Sequence, residues 1–165
     1  MVVDVTETPI ERPKKNKKDS TAAKRKDIPT RAQVIVEIGT NKIICTAHGK
    51  GKQHDFKLFK NSKVPVKAEI EILGDKGYQG IQNLHANSRT PKKKPRGQEL
   101  SADEKKSNRS LARIRVVGEH IHRKLKIFKI LSLTYRNRRN RFGLRFNLIA
   151  ALYNYELQLP QLKAI

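Results

Sequence analysis

Three acidic residues occupy positions where a carboxylate is unusual and suggests a chemical role. Asp4 is flanked by valines in VVDV, Asp75 follows the apolar run ILG, and Glu119 lies within a strongly basic stretch. Strands disfavour Asp, and a carboxylate between apolar neighbours is poorly solvated. Carboxylates are the hard oxygen ligands of Mg²⁺, and two such ions about 4 Å apart can activate a water or a 3′-hydroxyl to attack a phosphodiester. The three residues are therefore candidate ligands for Mg²⁺ or Mn²⁺ in a nuclease-like site.

Each of these residues also has a simpler explanation. Asp4 could lie at a strand end facing water, and Asp75 could be an ordinary turn residue. Glu119 could sit on a solvated helix face, paired with Arg115 one turn earlier. Asp55 is a rival for the second ligand, although its position also suits a cap on the short helix that follows. The residue types alone leave these alternatives open.

The overall charge points to a polyanionic partner. The 165 residues include 37 Lys and Arg against 15 Asp and Glu, which gives a net charge of +22. Each phosphate that a basic residue neutralises releases counterions, so nucleic acid is the leading candidate. A single cysteine, Cys45, excludes an intramolecular disulfide and a Cys-rich zinc site. Without a long apolar run or a signal-peptide pattern, we expect no membrane partner and a location in the cytoplasm.

Apolar periodicity predicts the elements that must position the acidic residues. We expect strands and helices in a mixed order: strands at Met1–Thr6, Gln33–Ile38, Lys42–Ala47 and Glu69–Gly74, a short helix at Phe56–Lys60, and helices from Ser101 to about Phe128 and from Phe142 to Leu157. Ser101 and Glu104 form a capping box at the start of the first long helix. On that helix Arg115, Glu119, His122 and Lys126 form a polar stripe away from the apolar face.

The fold class that follows is α/β, with helices covering a mixed sheet. The hairpin supplies antiparallel strands, and the crossover from Cys45 to Ile72 should add a parallel one. Residues 9–31 form a basic, proline-containing segment that we expect to be a flexible arm. Residues 86–100 form a second basic stretch, expected to be a loop, and residues 158–165 are a tail behind a domain of residues 1–157.

The chain resembles the DDE-type insertion-sequence transposases of bacteria, which belong to the RNase H-like endonucleases. Four segments carry the resemblance in family order: VDVTE (3–7), KIICTAHGKGKQHDFKLFK (42–60), ILGDKGYQGI (72–81) and the stretch from Asn87 to Leu131. In the last segment, Arg115, Glu119 and Lys126 match the family spacing R-x3-E-x6-K.

The resemblance implies an RNase H-like fold, with Asp4, Asp75 and Glu119 as catalytic, metal-binding residues for Mg²⁺ or Mn²⁺. It implies hydrolysis at the transposon ends, followed by attack of the freed 3′-hydroxyl on target DNA. It further implies a homo-oligomeric complex that acts at the bacterial nucleoid. Family members usually carry a DNA-binding region before the first Asp, which we expect this chain to lack. The expected DNA contacts are Arg115, Lys126, Arg123 and the basic-loop residues Lys92, Lys93 and Lys94.

A second class of function fits the same composition: a non-catalytic, basic nucleic-acid-binding protein. Such a protein has no need for Asp4 inside VVDV or for Glu119 in a polycationic helix. The catalytic interpretation predicts that the carboxylates of Asp4, Asp75 and Glu119 converge within about 8 Å, as shared metal ligands must.

Overall fold

A five-stranded mixed sheet forms the centre of the protein. The structure is a computed structural model, and it describes residues 1–11, 28–137 and 140–159. The strands are β1 (Val2–Ile10), β2 (Ile28–Val36), β3 (Ile43–Lys50), β4 (Ile72–Leu73) and β5 (Ser88–Arg89), in the spatial order β3-β2-β1-β4-β5. The first three pair antiparallel, while β4 runs parallel to β1 and β5 parallel to β4. The predicted α/β class is confirmed, and the arrangement is consistent with an RNase H-like fold.

Four helices accompany the sheet in the described part of the chain. They are α1 (Asp55–Ser62), α2 (Ala102–Leu125), α3 (Lys129–Ser132) and α4 (Phe142–Glu156). The capping box of α2 forms as predicted, since the Ser101 hydroxyl accepts from the Glu104 N–H at 3.1 Å and the Glu104 carboxylate accepts from the Ser101 N–H at 3.0 Å. The α2 helix ends at Leu125, so Phe128 lies beyond it and precedes α3.

The two faces of the sheet bury different sets of side chains, because successive strand residues point to opposite sides. Val3 packs on one face with Ile35 of β2 and Phe59 of α1. Val34 packs on the other face in a cluster with Ile121 of α2 and with α4. Asp4 is the register partner of Val34, so it lies on the face that α2 covers. The alternation in β1 therefore decides which helix Asp4 meets.

Strand β1 is longer than the predicted Met1–Thr6, and β2 starts earlier than Gln33 and ends at Val36. Both ends of the predicted flexible segment 9–31 are strand instead: Pro9 lies in β1, Pro29 lies in β2, and they face each other. In this pair the backbone groups of each proline point away from the partner strand. The Pro9 carbonyl accepts from the Tyr135 N–H, and the Pro29 carbonyl accepts from the Gly51 N–H. The missing proline N–H groups therefore cost no bond between the strands. Residues 12–27 lie outside the described residues.

Two other boundaries differ from the expectations. The predicted strand Glu69–Gly74 is reduced to the two residues of β4. The predicted loop 86–100 contains β5 at Ser88–Arg89, because the backbone of this segment adds to β4 in parallel. Of the predicted tail, residues 160–165 lie outside the described part of the chain. Among the described residues, no helix has the length and apolar character needed to cross a bilayer.

Candidate active site

The register between β1 and β4 gives two of the predicted site residues equivalent positions on neighbouring strands. Val2 is the parallel partner of Leu73. Two residues further along each strand direction come Asp4 and Asp75, and an extended backbone of period two would turn both to the same side. Asp75 lies just beyond the end of β4, where its backbone is still extended. Its carboxylate accepts the Gly77 N–H at 2.7 Å, which fixes one oxygen at the start of a short 3₁₀ helix, Lys76–Tyr78.

Helix α2 brings the third carboxylate to the same end of the sheet. Gly118 faces Asp4 so closely that a Cβ at position 118 would lie 3.2 Å from both Cβ and Oδ2 of Asp4. An added side chain at 118 would press on Asp4, so glycine suits the close approach of helix and strand here. Glu119 follows on an exposed part of the helix, and Arg115 lies one turn earlier, half-buried.

The Asp4 carboxyl is mostly enclosed, with 19% of its side chain exposed, so it does not lie at a strand end facing water. Burial raises the pKa of Asp4 to about 6. The negative charges of Asp75 and Glu119 also raise this pKa, whereas the Val5 N–H and the Arg115 guanidinium lower it. Asp75, Glu119 and Arg115 therefore all lie within electrostatic reach of Asp4.

These residues are electrostatic neighbours and do not form a closed ligand set. Within the described ranges, no three His, Cys, Asp or Glu side chains lie close enough together to hold a metal ion. Convergence of Asp4, Asp75 and Glu119 within about 8 Å stays a prediction.

Comparison with known proteins decides the family. The DDE superfamily endonuclease family matches residues 3–154. The chain belongs to this family. It is also 52% identical, over 159 residues, to a probable transposase for insertion sequence element IS702 from Microchaete diplosiphon. That match covers 96% of this chain and 58% of the relative, so the chain spans less than two thirds of the relative's length. No solved structure matches.

One residue of this DDE endonuclease chain lies closer to Asp4 than sequence reasoning suggested. His122 is buried, although it was expected on an exposed polar stripe, and its Nε2 lies 3.4 Å from Oδ2 of Asp4. Burial and the positive charge of Lys126 lower the pKa of His122 to about 4, so the ring is neutral at pH 7. The available signal was its position one turn after Gly118, on the side of α2 that touches β1.

Asp55, the rival second ligand, is held in an ion-pair network with Arg31 and Glu7. Its Oδ1 accepts from Arg31 at 2.6 Å, and Arg31 also pairs with Glu7 at 2.8 Å. Asp55 is the first residue of α1 and does not cap it, because the N-cap is His54. Burial raises the pKa of Asp55, the charge of Arg31 lowers it, and the charge of Asp75 raises it.

Asp55 and Asp75 also lie close to each other. A Cβ at Gly77 would meet Oδ2 of Asp55 at 2.5 Å and Oδ1 of Asp75 at 2.9 Å. The Arg31 guanidinium thus provides a positive charge next to a second pair of carboxylates. The charge of Arg31 opposes the effect of burial on the pKa of Asp55 and holds this carboxylate in an ion pair.

The predicted DNA-contacting residues fall into two groups. Arg123 is exposed on the last turn of α2, and the exposed Lys126 is the C-cap of the helix. Lys92 and Lys94 lie at the other end of the helix, where they pair with Glu104 at 2.9 Å and Glu99 at 3.9 Å. The intervening Lys93 is exposed. At 1.5 Å per residue, Glu104 lies about 22 Å along the helix from Glu119. The basic loop is therefore separate from the carboxylates.

Proposed function

We propose that this chain is the catalytic part of a DNA transposase that cleaves DNA at the ends of an insertion sequence and joins the freed ends to target DNA. The observation that carries the proposal is the position of Asp4, buried on the central strand and within electrostatic reach of Asp75 and Glu119. In a chain of net charge +22, negative charges gathered around a buried strand carboxylate support a cation-binding role.

The donor set suits a hard divalent cation. DDE superfamily endonucleases generally depend on such a metal, and three carboxylates supply the oxygen ligands that Mg²⁺ or Mn²⁺ takes. Asp4, Asp75 and Glu119 would hold it, and its charge would offset the burial and the carboxylate repulsion that raise the pKa of Asp4. When bound, the metal supplies the charge that activates a water or 3′-hydroxyl and stabilises the leaving oxygen.

The remaining residues of the chain would bind and orient the DNA. Among the described residues, the buried Nε of Arg115 has no hydrogen-bond partner, and the charge of this guanidinium acts on Asp4. It would restrain a phosphate next to the carboxylates, while Arg123 and Lys126 hold the backbone further along α2. Lys92, Lys93 and Lys94 would bind phosphates beyond the other end of this helix. Binding should weaken steeply with salt, since each contact releases counterions.

We also propose that two copies of the chain assemble through α4, in line with a homo-oligomeric complex at the bacterial nucleoid in the cytoplasm. The inner side of α4 is buried, but its outer side exposes four apolar residues at helical spacing: Leu144 (68% exposed), Leu148 (70%), Leu152 (42%) and Tyr155 (59%). No charged residue interrupts this stripe.

The charges around the stripe favour a second copy as its occupant. Two strongly basic chains repel each other over most of their surfaces, and the neutral stripe is where they can approach at least cost. In an antiparallel pair, Glu156 of one copy would lie near Arg145 of the other, since they occupy opposite ends of the helix.

The catalytic proposal is tested with a supercoiled plasmid that carries the ends of the chain's own insertion sequence. Nicking should require Mg²⁺ or Mn²⁺ and should be lost in Asp75→Asn, while Glu11→Gln, a change at an exposed carboxylate, leaves it intact. Activity that survives Asp75→Asn would overturn the proposed site. Salt-dependent DNA binding without any metal-dependent nicking would favour the non-catalytic, basic nucleic-acid-binding protein instead.

A further inference from the structure

The two oxygens of the Asp4 carboxylate have different surroundings. Oδ1 accepts the Val5 N–H at 3.0 Å. Oδ2 points at α2, where it lies 3.2 Å from the Cβ position of Gly118 and 3.4 Å from Nε2 of His122. One oxygen is therefore fixed by the strand itself, and the other depends on what α2 presents to it.

The His122 ring is buried, but its nitrogens make no hydrogen bond with the described residues. Its side chain is only 9% exposed, and neither Nδ1 nor Nε2 has a hydrogen-bond partner among the described residues. Buried polar groups are nearly always paired, and an unpaired one in a native structure needs an explanation. Oδ2 of Asp4 lies 3.4 Å from Nε2.

We propose that His122 is a positioning residue that holds the Asp4 carboxylate for the metal, by donating its Nε2–H to Oδ2. The inference rests on the proposed function, since it concerns a ligand of the metal proposed there. At 3.4 Å and without good alignment, the pair is poised and not bonded. A side-chain shift of about 0.5 Å brings the atoms to ordinary hydrogen-bond distance. That bond would fix the rotation of the carboxylate, as partners of metal ligands commonly do.

The helix makes this arrangement rigid. His122 lies one turn after Gly118, and the absent side chain at 118 lets α2 approach β1 closely enough for the ring to reach Oδ2. Ile121, the residue before His122, is 2% exposed and packs in the core cluster, so the backbone at this point cannot turn away from the strand. A longer side chain at 118 would separate the histidine from the carboxylate.

The test measures Mn²⁺ binding to the full chain by electron paramagnetic resonance of the free ion, without DNA. His122→Phe removes the donor, and we expect it to weaken Mn²⁺ binding 10- to 100-fold, the usual effect of losing a partner of a metal ligand. His122→Gln places an amide N–H near the position of Nε2 and should restore binding to within about threefold, whereas the shorter His122→Asn should not. His120→Gln, on the exposed neighbouring position, is the matched control.

The outcomes separate the two proposals. If the wild-type chain binds no Mn²⁺, the proposed metal site fails. If the wild type binds Mn²⁺ and His122→Phe, shown to be folded by circular dichroism, binds it equally well, the positioning role of His122 is overturned while the site stands. If His122→Phe does not fold, the Gln and Asn variants decide, since equal Mn²⁺ binding by both would also overturn it.

Discussion

Replacing Asp4 by asparagine should make the metal-free protein more stable at neutral pH. Burial and the neighbouring carboxylates raise the pKa of Asp4 from 3.8 to about 6, so the folded state holds an ionised group that it disfavours. At 1.36 kcal/mol per pKa unit, the ionised form costs about 3 kcal/mol of folding free energy at pH 7.5. Asparagine keeps the shape of the side chain and carries no charge, so Asp4→Asn should recover most of this amount and lose all metal-dependent activity.

The gain should depend on pH in a defined direction. The raised pKa means that the penalty is full above about pH 6 and disappears as pH falls towards 3.8, because the folded state then takes up a proton more readily than the unfolded state. His122 acts in the opposite sense. Its pKa is lowered from 6.5 to about 4, so its contribution to stability is lost as pH falls through that window, by about 3 kcal/mol. In the wild type the two effects largely cancel between pH 6 and 4, whereas Asp4→Asn exposes the acid sensitivity of His122.

Urea unfolding followed by circular dichroism at pH 7.5, 6 and 4.5, in EDTA, measures both effects. The midpoint of Asp4→Asn should exceed that of the wild type at pH 7.5 and should fall more steeply with acid. Glu11→Gln, at an exposed carboxylate near the end of the same strand, should leave the midpoint unchanged. A midpoint for Asp4→Asn below that of the wild type at pH 7.5 would mean that Asp4 is stabilised by an ion pair with protonated His122, and would refute the reasoning.

Three further predictions concern the surroundings of the site. Arg31→Met removes the partner of the partly buried Asp55 carboxylate, so we expect the unfolding free energy to fall by about 1–3 kcal/mol in urea titration. An unchanged free energy would mean that solvent replaces the guanidinium. Gly118→Val places a branched side chain against Asp4, where one added carbon would already lie at 3.2 Å. We expect thermal unfolding to show a loss of about 1–3 kcal/mol in unfolding free energy. An unchanged midpoint would contradict the close contact. Leu148→Glu should shift the chain from dimer to monomer in sedimentation equilibrium, and a wild type that is already monomeric at about 100 μM would refute assembly through α4.

Much of the frame of the site follows from local sequence. Ser101 and Glu104 define the start of α2 because a capping box satisfies helix-end N–H groups on its own. Alternation in VVDV predicts that Val3 and Asp4 face opposite sides of a strand, and the structure shows this. Asp75 can be placed at a strand end because the apolar run before it is short and glycines follow. In each case the physical cause acts within a few residues.

The parts that sequence reasoning missed depend on contacts between distant segments. His122 was expected on a polar face, since its spacing places it in one stripe with Glu119 and Lys126. The closeness of α2 to β1 at Gly118 buries it instead. The strand pairing of Pro9 with Pro29 was missed because each proline alone argues against a strand. Only the antiparallel register, which turns the backbone groups of both residues outward, makes the pair tolerable.

The register that brings Asp4 and Asp75 together rests on very few bonds. Within the described chain, β1 and β4 share one register pair, Val2 with Leu73. A slip of one residue would move Asp75 by about 3.3 Å and turn it to the opposite face of the sheet. Val2 and Leu73 are 0% and 1% exposed and pack together with Leu111 of α2, which is 3% exposed. This apolar contact opposes such a slip, because a shifted Leu73 would leave the cluster. A hydrophobic contact two residues before each aspartate thus fixes the positions of Asp4 and Asp75, to which we assign the chemistry.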